Sequence, residues 1–333
     1  MKKQTAKSPA NIAFIKYWGR RDDKLILPLN SSVSMNLNNC YTKTTIEFGK
    51  TEKDEIRVKF FESDFNQLED KKLQRVLSQV NRIRQKYKIN KAVKIYSENN
   101  FPDSCGIASS ASAFSALTHA LFKALEIKIS EKELTIETRL AGSGSATRSI
   151  PKGFVEWIRG ENKQSKSSYA YSIAPPDHWE LYDLILVVDT QEKSIGSYEG
   201  HSRASNEYMK ARLEKIDNRI KQVKEAIKEK NIAKLGEVIE ADAISLHTVA
   251  MNSNPPIYYL NSRTWDVIFE LINLRKKGLE GYFTMDAGPN VHLICEKKYK
   301  DKLKEKFTNF PGVKFIIENK VGRGVELVNE HLF

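Results

Sequence analysis

The stretch Phe101-Pro-Asp-Ser-Cys-Gly-Ile-Ala-Ser-Ser-Ala-Ser112 runs directly into an apolar helical pattern formed by Phe114, Leu117, Leu121 and Leu125. Small residues let the backbone approach a ligand closely, and the free N–H groups of a first helical turn attract anions. The stretch therefore predicts a loop that cradles phosphate groups. An ordinary Ser-capped helix is the alternative, because Ser is a favoured N-cap residue. No Gly-Lys-Ser/Thr follows, so this is not a Walker A loop.

The composition is typical of a soluble globular protein. Hydrophobic residues make up 40% of the 333 residues and charged residues 29%, which excludes a disordered chain. This length gives one large domain or two of ordinary size. No apolar run approaches the roughly 18 residues that a membrane helix needs, and the charged start lacks the apolar segment of a signal peptide. We therefore expect a cytoplasmic protein without membrane contacts.

The cysteines and the net charge indicate which metal sites, disulfides and binding partners the chain can have. Cys40, Cys105 and Cys295 are far apart and form no CxxC or Cys/His cluster, which favours a reducing compartment and argues against a zinc site or disulfide framework. The net charge of +12 fits either nucleic-acid binding or attraction of small anionic substrates. Because the lysines are scattered among carboxylates and no basic block carries aromatics, we expect no nucleic-acid partner.

Alternating and helical apolar patterns predict an α+β fold with two lobes. The Pro-rich stretch Ala174-Pro-Pro-Asp177 is the expected boundary, which gives lobes of residues 1–180 and 181–333. The β-branched strands Tyr41–Phe48 and Ile56–Phe61 are expected to pair with each other. Further strands are predicted over residues 11–15, 92–96, 153–158, 184–188, 281–285, 291–296 and 313–317, and helices over 68–83, 131–140, 202–229, 232–247, 265–276 and 301–307.

Three further segments combine polar residues with glycine, and each has an ordinary structural interpretation. The stretch 11–24 contains an aromatic-basic turn around Tyr17 and Trp18, whose cations would suit a phosphorylated substrate. A surface hairpin with basic flanks is the alternative. The stretch 142–148 is typical of a flexible loop, and Asp286-Ala-Gly-Pro is typical of a turn that Asp caps.

Taken together, in this order and at these separations, the four segments resemble the GHMP kinase superfamily and, within it, the mevalonate diphosphate decarboxylases. The match covers nearly the whole chain. The Lys-Tyr-Trp-Gly and Asp-Ala-Gly-Pro-Asn pieces are specific to the decarboxylase branch, whereas the Ala-Ser-Ser loop is shared across the superfamily. The residues that carry the resemblance are Asn11-Ile-Ala-x-Ile-Lys-Tyr-Trp-Gly19, Leu27-Pro-x-Asn-Ser-Ser32, Pro102-x-x-x-Gly-x-Ala-Ser-Ser-Ala-Ser112, Ser143-Gly-Ser-x-x-Arg148, Gly153-Phe-Val-Glu-Trp157 and Asp286-Ala-Gly-Pro-Asn290.

The resemblance implies a fold and a reaction. The fold is the GHMP kinase type, with an N-terminal lobe like domain 2 of ribosomal protein S5 and a ferredoxin-like α/β C-terminal lobe that completes the cleft. The reaction is the ATP-dependent decarboxylation of mevalonate 5-diphosphate to isopentenyl diphosphate, in the mevalonate pathway of isoprenoid biosynthesis. The 3-hydroxyl is phosphorylated, phosphate leaves, and the C1 carboxylate departs as CO2. ATP and Mg²⁺ are the implied cofactors, and family members are commonly homodimers.

The resemblance also implies roles for four catalytic residues. Asp286 would face the 3-hydroxyl, as general base or as orienting acceptor. Lys16 would keep that carboxylate ionised and stabilise the departing phosphate oxygens. Arg148 would hold the substrate carboxylate through a bidentate contact, which orients the C1–C2 bond for cleavage. Asn11 would form a hydrogen bond near the same carboxylate or hydroxyl.

Other matched residues are implied to bind the two phosphorylated substrates. Ser110 would place its hydroxyl near the γ-phosphate and Mg²⁺, and we find no dedicated protein cage for the metal. The residues implied to bind the mevalonate substrate are Tyr17, Arg20, Lys24, Ser143, Gly144, Ser145, Ser197 and Tyr198. The residues implied to cradle the ATP phosphates are Pro102, Gly106, Ile107, Ala108, Ser109, Ser110 and Ser112.

Departures from the family pattern leave an alternative substrate open. Arg20 stands where the diphosphate-specific enzymes usually have Lys. Tyr198 stands where some bacterial relatives direct an Arg toward the diphosphate, Glu199 adds a negative charge beside it, and His201 replaces the usual Met. A 5-monophosphate substrate, as in the phosphomevalonate decarboxylases, is therefore the alternative, although the cations near Arg20 compensate and we expect the diphosphate. Remoter alternatives are a kinase that stops at the 3-phosphate and a non-enzymatic basic binding protein.

Overall fold

The computed structural model describes residues 2–68, 70–102, 106–107, 109–161, 164–191 and 193–333. Strands and helices follow each other irregularly, which confirms the expected α+β class. The strands are β1 (Gln4–Ile15), β2 (Arg20–Asp22), β3 (Leu27–Pro28), β4 (Ser32–Phe48), β5 (Glu55–Lys59), β6 (Phe65–Gln67), β7 (Val93–Asn99), β8 (Phe154–Trp157), β9 (Ala170–Ala174), β10 (Leu181–Val187), β11 (Tyr282–Thr284), β12 (Val291–Glu296), β13 (Phe315–Lys320) and β14 (Glu326–Val328). The helices are α1 (Asp70–Tyr87), α2 (Ser109–Ala124), α3 (Glu131–Arg139), α4 (Ser197–Ser202), α5 (Glu207–Glu229), α6 (Ile232–Met251), α7 (Ser262–Lys276) and α8 (Lys297–Thr308), with 3-10 turns at Gly144–Ser149 and Ser165–Ser167.

The first sheet has eight strands. Six follow the order β14-β1-β4-β7-β5-β6, while β8 pairs with the first part of β4 and β9 pairs with β8. Strand β4 is 17 residues long, so residues 32–35 pair with β8 while residues 42–48 pair with β7. The predicted pairing of Tyr41–Phe48 with Ile56–Phe61 is wrong, because β7 lies between these strands. Strand β7 is antiparallel to β4 and parallel to β5, and α1 provides the crossover that a parallel pair requires.

The second sheet has four antiparallel strands in the order β11-β12-β10-β13. It lies within the predicted second lobe, and the predicted strand at 291–296 has the bounds of β12. The chain then returns to the first sheet, because β14 pairs with β1, opposing Thr5 to Val328 and Lys7 to Glu326. The C-terminal residues therefore complete the first sheet, and the boundary at residue 180 stays a prediction.

The helices cover the sheets with apolar faces. Helix α2 buries Phe114, Leu117 and Leu121 against the first sheet, as the apolar spacing predicts. The helix predicted over 202–229 is confirmed as α5 but begins later, at Glu207, because Asn206 caps it by accepting the Met209 N–H and residues 203–206 separate it from α4. Among the described residues, no helix combines the length and the apolar character that crossing a bilayer demands.

Candidate active site

One cleft of about 280 Å³ collects side chains from all four polar segments singled out in the sequence. Lys16 follows the end of β1, Arg148 lies in a 3-10 turn after α3, and Asp286 follows β11. Helix α2 directs its first turn at the same space. The predicted site residues that line the cleft are Lys16, Tyr17, Arg20, Gly106, Ser109, Ser110, Ser143, Gly144, Ser145, Arg148, Ser197, Tyr198 and Asp286.

A buried ion pair between Lys16 and Asp286 forms the centre of the cleft. Lys16 Nζ donates to Asp286 Oδ1 at 2.7 Å and to the Ala13 carbonyl at 2.7 Å, and Lys16 is 1% exposed. The backbone of Lys16 is also held on both sides. Its N–H donates to Asp242 Oδ2 at 2.8 Å, and its carbonyl accepts from Arg212 Nη2 at 3.0 Å. Because Asp242 and Arg212 are themselves a fully buried ion pair, they fix the backbone of Lys16. The bonds to Ala13 and Asp286 then fix its ammonium group.

The electrostatics of the pair keep Asp286 ionised. Burial alone would raise the pKa of the Asp286 carboxyl, but the charge and hydrogen bond of Lys16 outweigh burial and leave that pKa below its ordinary value. Burial lowers the pKa of the Lys16 ammonium, and the attraction of Asp286 opposes this change. Near neutral pH the pair therefore presents a carboxylate oxygen, Oδ2, beside a fixed ammonium group.

Arg148 is buried at the wall of the cleft and is oriented by two partners. Its Nη1 donates to Ser32 Oγ at 2.6 Å, and its Nη2 donates to Asn11 Oδ1 at 3.2 Å. Asn11 uses its amide nitrogen as well, donating to Ser149 Oγ at 2.8 Å and to the Ser145 carbonyl at 3.2 Å. Asn11 therefore positions Arg148 and does not line the cleft. Its predicted contact with the substrate stays a prediction.

The predicted phosphate loop divides into residues that face the cleft and residues that do not. Ser109 and Ser110 begin α2 and line the cleft, and Ser110 Oγ lies 3.3 Å from Ser143 Oγ. Ser112 is fully buried, where its hydroxyl bonds Thr42 Oγ1 at 2.7 Å, and Ile107 packs in the apolar core. Pro102 is buried outside the cleft lining, and Ala108 lies outside the described residues, together with residues 103–105.

Gly106 is required by the close approach of two loops. Its φ is +97°, and a Cβ there would lie 2.9 Å from the Cα of Gly288, in the loop that carries Asp286. The loop before α2 and the loop after β11 thus pack backbone against backbone. This contact holds the helix N-terminus beside the Lys16–Asp286 pair.

The wall beside Arg20 is built from aromatic and cationic side chains. Arg20 stacks its guanidinium on the Tyr198 ring at 4.0 Å and donates from Nη2 to the Tyr198 carbonyl at 2.7 Å. Lys193 donates to Ser197 Oγ at 2.9 Å and to the Ala287 carbonyl at 2.8 Å. Tyr198 thus acts as a platform for Arg20. The negative charge of Glu199 is ion-paired with Arg203.

Two basic residues of the first motif lie elsewhere. Lys24 is exposed in the turn between β2 and β3 and is absent from the cleft lining, so its role in substrate binding stays a prediction. Arg21 donates to the Pro28 carbonyl at 3.2 Å and to the Arg159 carbonyl at 2.7 Å, which ties the β2–β3 hairpin to the end of β8. The presence of a basic residue in the motif therefore does not show whether its side chain faces the cleft.

The sequence reasoning missed several residues of the site. Lys72 and Arg75 reach the cleft from α1, and Arg75 donates to the Gly142 carbonyl at 3.1 Å. Both also border a second cavity of about 170 Å³ that shares Ser109 and Ser110 with the cleft. Most of the side chains lining this second cavity are apolar: Ile56, Val58, Phe60, Leu68, Val76, Ile95, Ala113, Phe114 and Leu117.

The charges of the cleft suit polyanions more than a preformed metal cage. Among its described lining residues, Asp286 is the one carboxylate, against six cationic side chains. The cations are Lys16, Arg20, Lys72, Arg75, Arg148 and Lys193. In the described part of the chain, no three His, Cys, Asp or Glu side chains come together as a metal site. The cleft is therefore built to attract phosphates and carboxylates.

Comparison with known proteins identifies the family. Residues 8–170 match the family described as Diphosphomevalonate decarboxylase-like N-terminal domain, and residues 183–327 match the Mevalonate 5-diphosphate decarboxylase C-terminal domain. A diphosphomevalonate decarboxylase of Candida albicans is 32% identical over 354 residues, which cover 98% of each chain.

Solved structures agree with this match. The mevalonate diphosphate decarboxylase of Staphylococcus aureus is 33% identical with a TM-score of 0.88, over 98% of both chains. A structure described as "MDDEF in complex with MVAPP, AMPPCP and Magnesium" is 33% identical with a TM-score of 0.88, also over 98% of both chains. These likenesses confirm the expected two-lobed fold. The chain therefore belongs to the diphosphomevalonate decarboxylase family.

Proposed function

We propose that this chain catalyses the ATP-dependent decarboxylation of mevalonate 5-diphosphate. The products are isopentenyl diphosphate, ADP, phosphate and CO2. The observation that carries the proposal is the buried Lys16–Asp286 pair, with 2.7 Å between Nζ and Oδ1, in a cleft that Arg148 and the N-terminus of α2 also line. The complete set of catalytic residue types, brought together in one cleft, supports turnover rather than binding alone.

Asp286 orients the 3-hydroxyl by accepting its hydrogen bond. A carboxyl with a lowered pKa is a weak base, so the hydroxyl proton does not stay on Asp286 and passes on to solvent or phosphate oxygen. Lys16 stabilises the negative charge that grows as the C3–O bond to the new phosphate breaks. Arg148 holds the C1 carboxylate, so that the electron pair of the breaking C1–C2 bond forms the C2–C3 double bond.

The residues at the start of α2 fit the phosphates of ATP. The backbone approach at Gly106 leaves no room for a side chain, and Ser109 and Ser110 present hydroxyls and N–H groups at the helix N-terminus. Bound ATP supplies the phosphoryl group that makes the 3-oxygen a leaving group, and Mg²⁺ neutralises its phosphates. Ser110 is the residue that would hold the metal, and the metal would supply positive charge beside the phosphates.

The second cavity fits the adenine base. It adjoins the first turn of α2, its walls are mainly apolar, and Ser97 and Asn99 on β7 add polar groups at its rim. A flat apolar slot with a few polar groups is what an aromatic base requires. Lys72 and Arg75 border both cavities, so they are placed to contact the phosphates that join the base to the reacting group.

The 5-diphosphate is favoured over the 5-monophosphate by the cations opposite the α2 N-terminus. Tyr198 replaces an Arg found in some relatives, but its ring supports Arg20, a cation at the same wall whose counter-ion is the solvent-exposed Asp23. Glu199 is paired with Arg203 and so contributes little repulsion. Lys193 adds a second cation to the wall. The dimeric state and the cytoplasmic location expected from the sequence stay predictions.

CO2 release with ATP and Mg²⁺ tests the proposal, with mevalonate 5-diphosphate and mevalonate 5-phosphate compared as substrates. We expect a higher kcat/KM for the diphosphate. Asp286→Asn should lower the rate by about 10²–10⁴-fold without loss of ATP binding, whereas Asp301→Asn, at an exposed carboxylate on α8, should have no effect. A preference for the monophosphate would overturn the substrate assignment, and no turnover of either would overturn the reaction.

A further inference from the structure

His201 lines the cleft, and the proposed reaction does not yet use it. Its ring stacks on Tyr17, with ring centroids 4.1 Å apart and planes inclined by 27°. The ring of Trp18 lies on it as well, with centroids 4.6 Å apart. Two aromatic contacts therefore fix the orientation of the imidazole before any ligand binds.

A backbone hydrogen bond sets the tautomer of the imidazole. The N–H of Gly19 donates to His201 Nδ1 at 3.0 Å. A ring nitrogen that accepts a hydrogen bond carries no proton, so the neutral ring has its proton on Nε2. Burial, with the positive charges of Arg20, Lys193 and Arg148, keeps the pKa of His201 well below its ordinary value. His201 thus stays neutral with an Nε2–H donor.

This donor has no use within the protein. Nε2 has no hydrogen-bond partner in the described part of the chain, whereas Nδ1 accepts from Gly19 and the ring contacts the rings of Tyr17 and Trp18. His201 lines the cleft together with Arg20, Ser197 and Tyr198, where the phosphate end of the substrate is proposed to bind.

We propose that His201 is a substrate-binding residue whose Nε2–H donates a hydrogen bond to a phosphate oxygen of the 5-diphosphate; this rests on the proposed function. The donor adds no further positive charge to a wall that already holds Arg20 and Lys193. Because Gly19 and the aromatic rings hold the imidazole in place, the hydrogen bond forms at little cost in side-chain entropy.

Two variants of similar length separate the donor from the packing. His201→Gln and His201→Met both remove the ring and the contact with Gly19, but only Gln keeps an N–H near the position of Nε2. We expect the Met variant to have a KM for mevalonate 5-diphosphate about 10- to 100-fold above that of the Gln variant, as loss of a hydrogen bond to a charged group implies. The KM for ATP and the Tm should be alike in the two variants.

Calorimetric binding of mevalonate 5-diphosphate without ATP gives the same comparison independently of turnover. Weaker binding by the Met variant than by the Gln variant supports the assignment. Equal affinities of the two variants, or equal KM values, overturn it and leave His201 a packing residue. Absence of turnover in the unmodified protein overturns the proposed function, and in that case the binding comparison still decides the role of His201.

Discussion

Replacing Lys16 with Met tests the electrostatic account of the site most sharply. At 2.7 Å, the attraction between Lys16 Nζ and Asp286 Oδ1 is about 6 kcal/mol at an effective dielectric constant of about 20. The desolvation of two buried ions opposes this attraction. The net effect displaces the pKa of the Asp286 carboxyl to below its ordinary value.

The direction of the pH effect follows from the sign of this displacement. In the unmodified protein the pKa of Asp286 lies below its unfolded value, so the ionised Asp286 carboxylate stabilises the fold above the unfolded pKa, and this contribution is lost as pH falls through the folded pKa. In Lys16→Met, burial acts on Asp286 without its main counter-ion, so the pKa rises. Activity that needs the carboxylate is then lost at a higher pH.

The assay is kcat/KM for CO2 release measured across the acidic range. For Lys16→Met we expect kcat/KM to fall by about 10²–10³-fold at neutral pH and the acidic limb of the profile to move to higher pH. Lys234→Met breaks a partly exposed ion pair with Glu225, outside the cleft lining, and should leave the profile unchanged. An acidic limb at the same pH in Lys16→Met and the unmodified protein would refute the reasoning.

Three further predictions concern separate parts of the cleft. Arg148→Gln should lower kcat by about 10²-fold or more without weakening ATP binding, because in the described part of the chain the Arg148 guanidinium bonds Ser32 and Asn11 and not the α2 loop. An effect on ATP affinity alone would contradict its assignment. Gly106→Ala should lower the Tm and raise the KM for ATP more than Gly278→Ala does. Both glycines have positive φ, but only a Cβ at residue 106 would collide with another backbone, that of Gly288. Equal effects of the two variants would show that the contact with Gly288 is not important for ATP binding. Ala113→Phe should fill the apolar cavity and so raise the KM for ATP but not the KM for the mevalonate substrate, whereas Ala211→Phe, on the exposed face of α5, should change neither KM. An unchanged KM for ATP in Ala113→Phe would show that adenine binds outside this cavity.

The meeting of Lys16, Arg148 and Asp286 could be predicted because each lies in a short motif with a specific spacing. The support of Lys16 by Asp242 and Arg212 could not. Both residues lie in the middle of long helices, where a charged residue is ordinary, and their pairing depends on how α5 packs on α6. A buried ion pair between distant residues leaves no local pattern in the sequence.

The order of the strands in the first sheet could not be predicted from the sequence, for a related reason. The alternation over residues 56–61 fits any neighbour that offers an apolar face, so it does not say whether β4 or β7 is the partner. The crossover through α1 decides this, and that crossover is a property of the whole unit. Membership of a motif likewise does not show that a side chain faces the cleft. Ile107 and Lys24 both belong to the matched segments, but Ile107 lies in the apolar core and Lys24 lies in solvent.

The measurement that tests the central claim most directly is a single-turnover experiment in which ADP and CO2 are quantified together. The protein is mixed in excess with mevalonate 5-diphosphate, ATP and Mg²⁺. If Asp286, Lys16 and Arg148 serve both phosphorylation and decarboxylation in one cleft, ADP and CO2 will form in equal amounts. ADP without CO2 would contradict the account and make this chain a kinase that stops at the 3-phosphate.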